Sequence, residues 1–245
     1  MARLFKIIGS LIAFNLVLAS QFLHAAELAE LGHNGFSDDG AYFAFEQYGV
    51  QDGSGFPYAE RYFIATETDR FLPGTPVKIR LEEADASVAD ARAMVDQASF
   101  EFMQQYDIGA APANIVAFNP STEISSAAYE LKFQPFSYEP NSNPPYELML
   151  EKIDLPLRPT CTDIVDKGIG FRLSLKASKA IDPEIVYQDT KIPNSRRCPT
   201  DYRLGGVLTY ANFGEPPVHI FLVLVKSFGF EGPDGRWIAI PKVMK

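Results

Sequence analysis

Short runs of aromatic and β-branched residues, each closed off by Gly, Pro, Asn or Asp, leave this 245-residue chain room for many strands and little else. The sequence holds 19 Phe and 11 Tyr beside 18 Pro and 17 Gly, so strand formers and turn formers alternate along most of its length. Residues 41–46 read as a strand behind the turn signal Ser37-Asp38-Asp39-Gly40, and 61–65 as a second. Residues 77–81 alternate apolar and basic side chains, the pattern of a half-exposed strand. Further strands are expected at 115–118, 127–133, 146–153, 170–175 and 184–188, with a loop over 140–145. Residues 204–210 and 218–225 flank a turn-rich stretch and read as a hairpin; the second run is apolar enough to be a buried strand.

One segment breaks this rhythm. From Ser87 to Tyr106, the residues Val88, Ala91, Val95, Ala98, Phe102 and Tyr106 recur at three- and four-residue steps and form one apolar stripe. Asp85 or Ser87 can cap the start and Gly109 can stop the end. Two short stretches, 39–45 and 234–240, share the pattern Asp-Gly, any residue, aromatic, apolar, Ala, apolar. Such a pattern opens propeller blades, but two copies at opposite ends of the chain fall short of a regular repeat. The expected fold is therefore mainly β: twisted antiparallel sheets, sandwich-like, with one packed amphipathic helix; a partial β-propeller is the alternative.

The N-terminus points to export. Arg3 and Lys6 precede an apolar run over 7–23, and small residues at Ala25-Ala26 precede the first acid, Glu27. Charge, apolar run and small residues in that order make a secretory signal peptide over 1–26, cleaved after Ala25 or Ala26. A single mainly-β domain over 27–245 remains, bound for the periplasm or the medium, with no stable membrane anchor. The formal net charge is −9, and −11 once Arg3 and Lys6 are gone. Phosphate backbones and anionic lipid surfaces repel such a protein, so nucleic acid is not an expected partner; an unknown ligand or an envelope protein is. The two cysteines, Cys161 and Cys198, read as a disulfide in an oxidising compartment.

Catalytic motifs are scarce. No nucleophile elbow, zinc-binding helix motif, phosphate loop or dinucleotide fingerprint occurs in the sequence. The mature chain keeps two histidines: His33 in a turn region and His219 in the most apolar strand. No catalytic residue, metal ligand set or cofactor is expected. The Gly-rich loop over 49–58 links two aromatic strands, and its mixture of polar and aromatic groups suits a sugar or a peptide. Glu46, Tyr48, Asp52, Ser54 and Tyr58 are the candidate binding residues. Arg196 and Arg197, with Arg203 nearby, form a basic cluster that can hold an anion or pair with local acids. The leading expectation is a non-catalytic binding or envelope-associated protein. A secreted hydrolase of glycan or peptide needs two converging carboxylates, for which Glu46, Asp52 and Glu60 around the 49–58 loop are the candidates. An assembly factor needs a long exposed sheet edge on the 204–225 hairpin.

The run Phe36-Ser37-x-Asp39-Gly40-x-Tyr42-Phe43-Ala44-Phe45-Glu46-x-Tyr48-Gly49-x-Gln51-Asp52-Gly53-Ser54-Gly55-Phe56-Pro57-Tyr58 resembles the opening signature of a bacterial family of predicted secreted proteins of unknown function. Cys198-Pro199-x-x-Tyr202-Arg203 and Gly229-Phe230-Glu231-Gly232-Pro233-Asp234-x-Arg236 resemble its C-terminal signature. The likeness implies bacterial export and a two-cysteine domain, and assigns no activity or catalytic residue.

Overall fold

A computed structural model describes residues 26–136 and 144–244. The signal peptide, save Ala26, and most of the expected 140–145 loop lie outside the described residues. In chain order the strands are β1 (Glu30–Phe36), β2 (Tyr42–Val50), β3 (Pro57–Ala65), β4 (Arg70–Phe71) and β5 (Val77–Arg80). Helix α1 (Val88–Gln105) follows, then β6 (Asn114–Phe118), β7 (Glu130–Phe133), β8 (Tyr146–Leu155), β9 (Gly168–Lys176) and β10 (Glu184–Gln188). The last three are β11 (Pro199–Tyr210), β12 (Val218–Ser227) and β13 (Asp234–Val243).

These strands form three antiparallel sheets. The first holds β1 to β5; a central sheet runs β13-β12-β11-β6; an outer sheet runs β10-β9-β8-β7. The central sheet is apolar on both faces. Ile220, Leu222 and Leu224 of β12 pack with Phe43, Phe45 and Ile64 of the first sheet. Phe221, Val223 and Val225 pack with Leu148, Phe171 and Leu173 of the outer sheet. Alternate residues of one strand thus serve two cores, so β12 reads as an almost unbroken apolar run. Helix α1 covers the far face of the first sheet, giving four stacked layers. The sheets stack face to face, as in a sandwich. The two look-alike stretches become β2, interior to the first sheet, and β13, at the edge of the central one; they are not blades.

Four expectations need correction. Residues 30–36 form an edge strand, so His33 lies opposite Phe45 in a ladder and not in a turn. In α1, Ala98 is exposed and Ser99 is buried, because Ser99 Oγ donates back to the Val95 carbonyl and accepts from Arg61. Ser87 caps the helix with a reciprocal Asp90 bond, but the chain leaves it at Tyr106, before Gly109. The 204–225 hairpin has no long free edge: β6 and β12 flank β11, and β11 and β13 flank β12.

Cys161 and Cys198 are disulfide-bonded, with their Cα atoms 5.6 Å apart. The bond ties the segment before β9 to the start of β11. On the inner face of the central sheet, Gly205 lies under the Trp237 ring, where a Cβ would overlap it. The turn before β2 forms as its residues suggest: Asp39 Oδ1 accepts from Ser37 Oγ (2.6 Å) and the Ala41 amide (2.9 Å), with Gly40 at φ +69°.

Candidate functional site

Pairing of β2 with β3 sorts the first sheet into two faces. Ala44, Glu46, Tyr48, Ala59, Arg61 and Phe63 turn toward α1. Phe45, Gln47, Tyr58, Glu60 and Tyr62 turn toward the central sheet, and Lys78 and Arg80 of β5 join them opposite Glu60 and Tyr58. This second face floors a cleft whose wall is the edge strand β13 and whose rim is the segment 195–197. The cleft has two lobes of about 380 Å³ and 290 Å³ that share Glu60, Lys78, Arg197 and Arg236. A larger hollow of about 570 Å³ lies between β1 and β6. Its walls are apolar apart from Glu30, His33, Ser121 and Thr122, so it has few groups to orient a ligand.

Polar groups on the cleft floor are closely tied. Glu60 accepts from Tyr62 Oη (2.5 Å), Gln47 Nε2 (2.9 Å) and Lys78 Nζ (2.9 Å). Burial opposes its charge, but Lys78, Tyr62 and Gln47 outweigh burial and hold the carboxyl below the usual range. Gln47 also accepts the Trp237 amide at 2.8 Å, linking the two sheets. Burial pushes the Tyr62 hydroxyl up, so it stays protonated as a donor.

The two sequence signatures meet at one end of this cleft. Asp52 Oδ2 accepts the Glu231 amide at 2.9 Å, and Phe230 packs on Gly53. The Arg236 guanidinium lies 4.6 Å from the Tyr58 ring centroid and pairs with Glu27 at 2.6 Å. Arg197 Nη1 donates to Asp234 Oδ2 at 2.7 Å. Asp234 is buried; that burial and neighbouring Glu27 raise its pKa against the pull of Arg197 and Arg236.

Arg197 differs from its neighbours. Its backbone sits at φ +52°, ψ −127°, a region that disfavours any residue with a Cβ. Its side chain is 45% exposed and makes one hydrogen bond among the described residues, leaving most of its five N–H donors open. The cleft thus presents Lys78, Arg80, Arg197 and Arg236 on a chain of net charge −9.

The five candidate binding residues do not converge. Glu46 is buried under α1, bonded to Arg61 and Arg92 at 2.6 Å each, and Tyr48 lies 4.2 Å beneath the Arg92 guanidinium. Ser54 sits at the exposed hairpin tip, where it bonds Gln51. Asp52 anchors the 231 turn, and Tyr58 alone of the five lines the cleft. The basic cluster also divides. Arg196 is buried against Asp189 (2.5 Å) and stacked on Phe171, Arg203 ties down the 119–126 loop, and only Arg197 offers donors to the cleft. Sequence reasoning missed Gln47, Tyr62, Lys78, Arg80 and Arg236, and marked Glu60 only as a carboxylate beside the 49–58 loop. Period-two counting outward from Tyr58 along β3, joined to the basic alternation of β5, was the available signal.

Among the described residues no group of three or more His, Cys, Asp or Glu is placed to hold a metal ion, and no helix is long and apolar enough to cross a membrane. No curated protein and no solved structure matches the chain. The family model described as predicted secreted protein (DUF2259) matches residues 44–242. That span holds all strands but β1, save the first two residues of β2 and the last of β13, together with both cysteines and the residues lining the charged cleft, and the chain belongs to this family of predicted secreted proteins.

Proposed function

We propose that this exported protein is a non-catalytic binding protein that holds an acidic ligand in the cleft between β3, β5 and β13. The observation that carries the reading is Arg197: half-exposed, with donors to spare, on strained backbone at the junction of both lobes. Strain of this kind costs about 1–3 kcal/mol and is found where a side chain must be aimed. A guanidinium with open donors suits a carboxylate or phosphate in two-pronged contact. Glu60 supports binding over hydrolysis, since a carboxyl held below its usual range is a poor proton donor. The negative net charge turns away long polyanions, leaving small or locally acidic ligands.

The test is a thermal-shift and calorimetry panel on the mature chain. The probes are succinate, citrate, inorganic phosphate and short acidic peptides, with neutral oligosaccharides as the contrast. Ligand at a hundredfold excess over its Kd stabilises the folded state by about 2.7 kcal/mol. Acidic probes are expected to shift the melt and to lose that shift in Arg197→Ala. Equal shifts in Arg197→Ala, or no response to any acid, would overturn the proposal.

A further inference from the structure

We infer that the acidic ligand is a peptide in extended conformation, paired through its main chain to the free edge of β13. The inference rests on the acid-binding reading of the cleft and specifies the ligand. Among the described strands β13 pairs with β12 alone, along its whole length, with Leu28 bridging it at Gly235. Its outward groups are identified by their partners. The Gly235 amide donates to the Glu27 carbonyl at 2.6 Å, and the Gly235 carbonyl accepts from Ala29 at 3.0 Å. Two residues on, the Trp237 amide donates to Gln47 Oε1. Strand alternation then directs the Ala239 amide and carbonyl outward too, while Pro241, two further on, has no N–H to offer.

The outward edge thus has three zones. At Gly235 the chain before β1 occupies it; at Pro241 it ends; between them the Trp237 amide is taken by Gln47, and the open window is the Trp237 carbonyl with the Ala239 amide and carbonyl, which bond nothing among the described residues. Both residues line the cleft, together with Arg197, Arg236 and Lys78. Natural proteins close or blunt such edges unless they use them. Here one end is closed by Glu27 and Ala29 and the other by Pro241, and the window opens into the charged cleft. A small acid satisfies the cations and leaves the window empty. An extended peptide satisfies both, with main-chain bonds for affinity and an acidic side chain for selectivity.

The probes are four peptides, acetyl-Xaa-Thr-Asp-Thr-Xaa-amide with Xaa as Val, Leu, Phe or Ser, and two N-methylated versions of each. One version is methylated on odd positions and the other on even positions; succinate is the non-peptide acid. The expected result is that at least one peptide binds, and that methylating one set of amides weakens it at least tenfold while methylating the other does not. Only one set can face the edge. Ala239→Pro removes the edge donor at a position of the same parity as Pro241; it should lose peptide and keep succinate. If that variant does not fold, the N-methyl series decides alone. Peptides indifferent to both methylations, or succinate binding with no peptide binding, would overturn the inference and leave the acid-binding reading standing. Peptide binding that needs one amide set but survives Arg197→Ala would overturn that reading and keep the edge. Binding of neither succinate nor peptide would overturn both.

Discussion

His219 gives the sharpest quantitative test of the layered fold. It lies on β12, facing the outer sheet, 1% exposed, and neither ring nitrogen has a hydrogen-bond partner among the described residues. Its neighbours are the rings of Phe133, Tyr146 and Phe221, at centroid distances of 5.9, 5.8 and 6.2 Å. Among the described residues no hydrogen bond or opposite charge offsets the loss of water around an imidazolium, and burial lowers the pKa from 6.5 to about 4. As pH falls, the unfolded chain takes up this proton first. The stability carried by neutral His219 is therefore intact above pH 6.5, is lost between 6.5 and about 4, and falls no further below that. At 1.36 kcal/mol per pH unit, the loss between pH 7 and pH 4.5 is about 2.5 kcal/mol.

The comparison is wild type against His219→Phe, which keeps a ring and removes the titration. Urea unfolding at pH 7, 5.5 and 4.5 can be followed by fluorescence, since Trp237 is the single tryptophan and is buried. Carboxylates titrate alike in both proteins, so the difference between their unfolding free energies isolates the histidine. That difference should move by about 2.5 kcal/mol in favour of His219→Phe as pH drops. Two parallel stability curves would refute the burial of an unpartnered histidine between the central and outer sheets.

Three shorter predictions test other parts of the fold. Cys161→Ser should destabilise the oxidised protein by about 3.5–4 kcal/mol, from the chain-entropy cost of a 37-residue separation, and lower Tm by roughly 7–16 °C; melting unchanged by reductant would contradict it. Arg61→Ala removes one of the two guanidinium partners of the buried Glu46 carboxylate and leaves Arg92 as the other, with an expected cost of about 1.5–3 kcal/mol in urea unfolding; a loss below about 1 kcal/mol would show that the network is not held as described. Gly205→Ala drives a methyl into the Trp237 ring and should cost about 1–3 kcal/mol, a penalty that Trp237→Leu relieves in the double variant; additive costs would mean the two do not touch.

What could be read ahead of the structure follows from which forces are local. The 218–225 run was legible as a strand because both its faces are covered, which removes any need for polar alternation. The 87–106 helix was legible from its stripe and cap, but Ser99 was hidden, because its burial depends on Arg61, 38 positions away. β1 escaped because Glu30-Leu31-Gly32-His33-Asn34-Gly35 has neither strand formers nor alternation; pairing with β2, and Leu28 bridging Gly235, hold it in place. The cleft was less legible still. Its bonds join Gln47 to Trp237 and Asp52 to Glu231, separations of 190 and 179 residues. The 49–58 stretch carries Asp52, which reaches Glu231, but which of its neighbours face the cleft depends on sheet stacking, and that puts Glu46 and Tyr48 under the helix.

Arg197 separates cost from use at a single position. Its carbonyl accepts from Arg158 Nη1 at 2.8 Å and its amide donates to Asn194 at 3.1 Å, so the positive φ is fixed from both sides. Arg197→Gly and Arg197→Ala both remove the guanidinium and both leave Asp234 without its partner. Those losses cancel when the two variants are compared, and only the backbone differs. At an ordinary position alanine is the more stable of the pair by about 0.4–1 kcal/mol, because glycine gives the unfolded chain more freedom. At φ +52° the strain of about 1–3 kcal/mol falls on alanine alone, so Arg197→Gly should be the more stable by about 1–2 kcal/mol. Neither variant should bind an acid. Alanine proving the more stable would mean that this backbone costs nothing, and the argument that Arg197 is held there for its side chain would lose its physical basis.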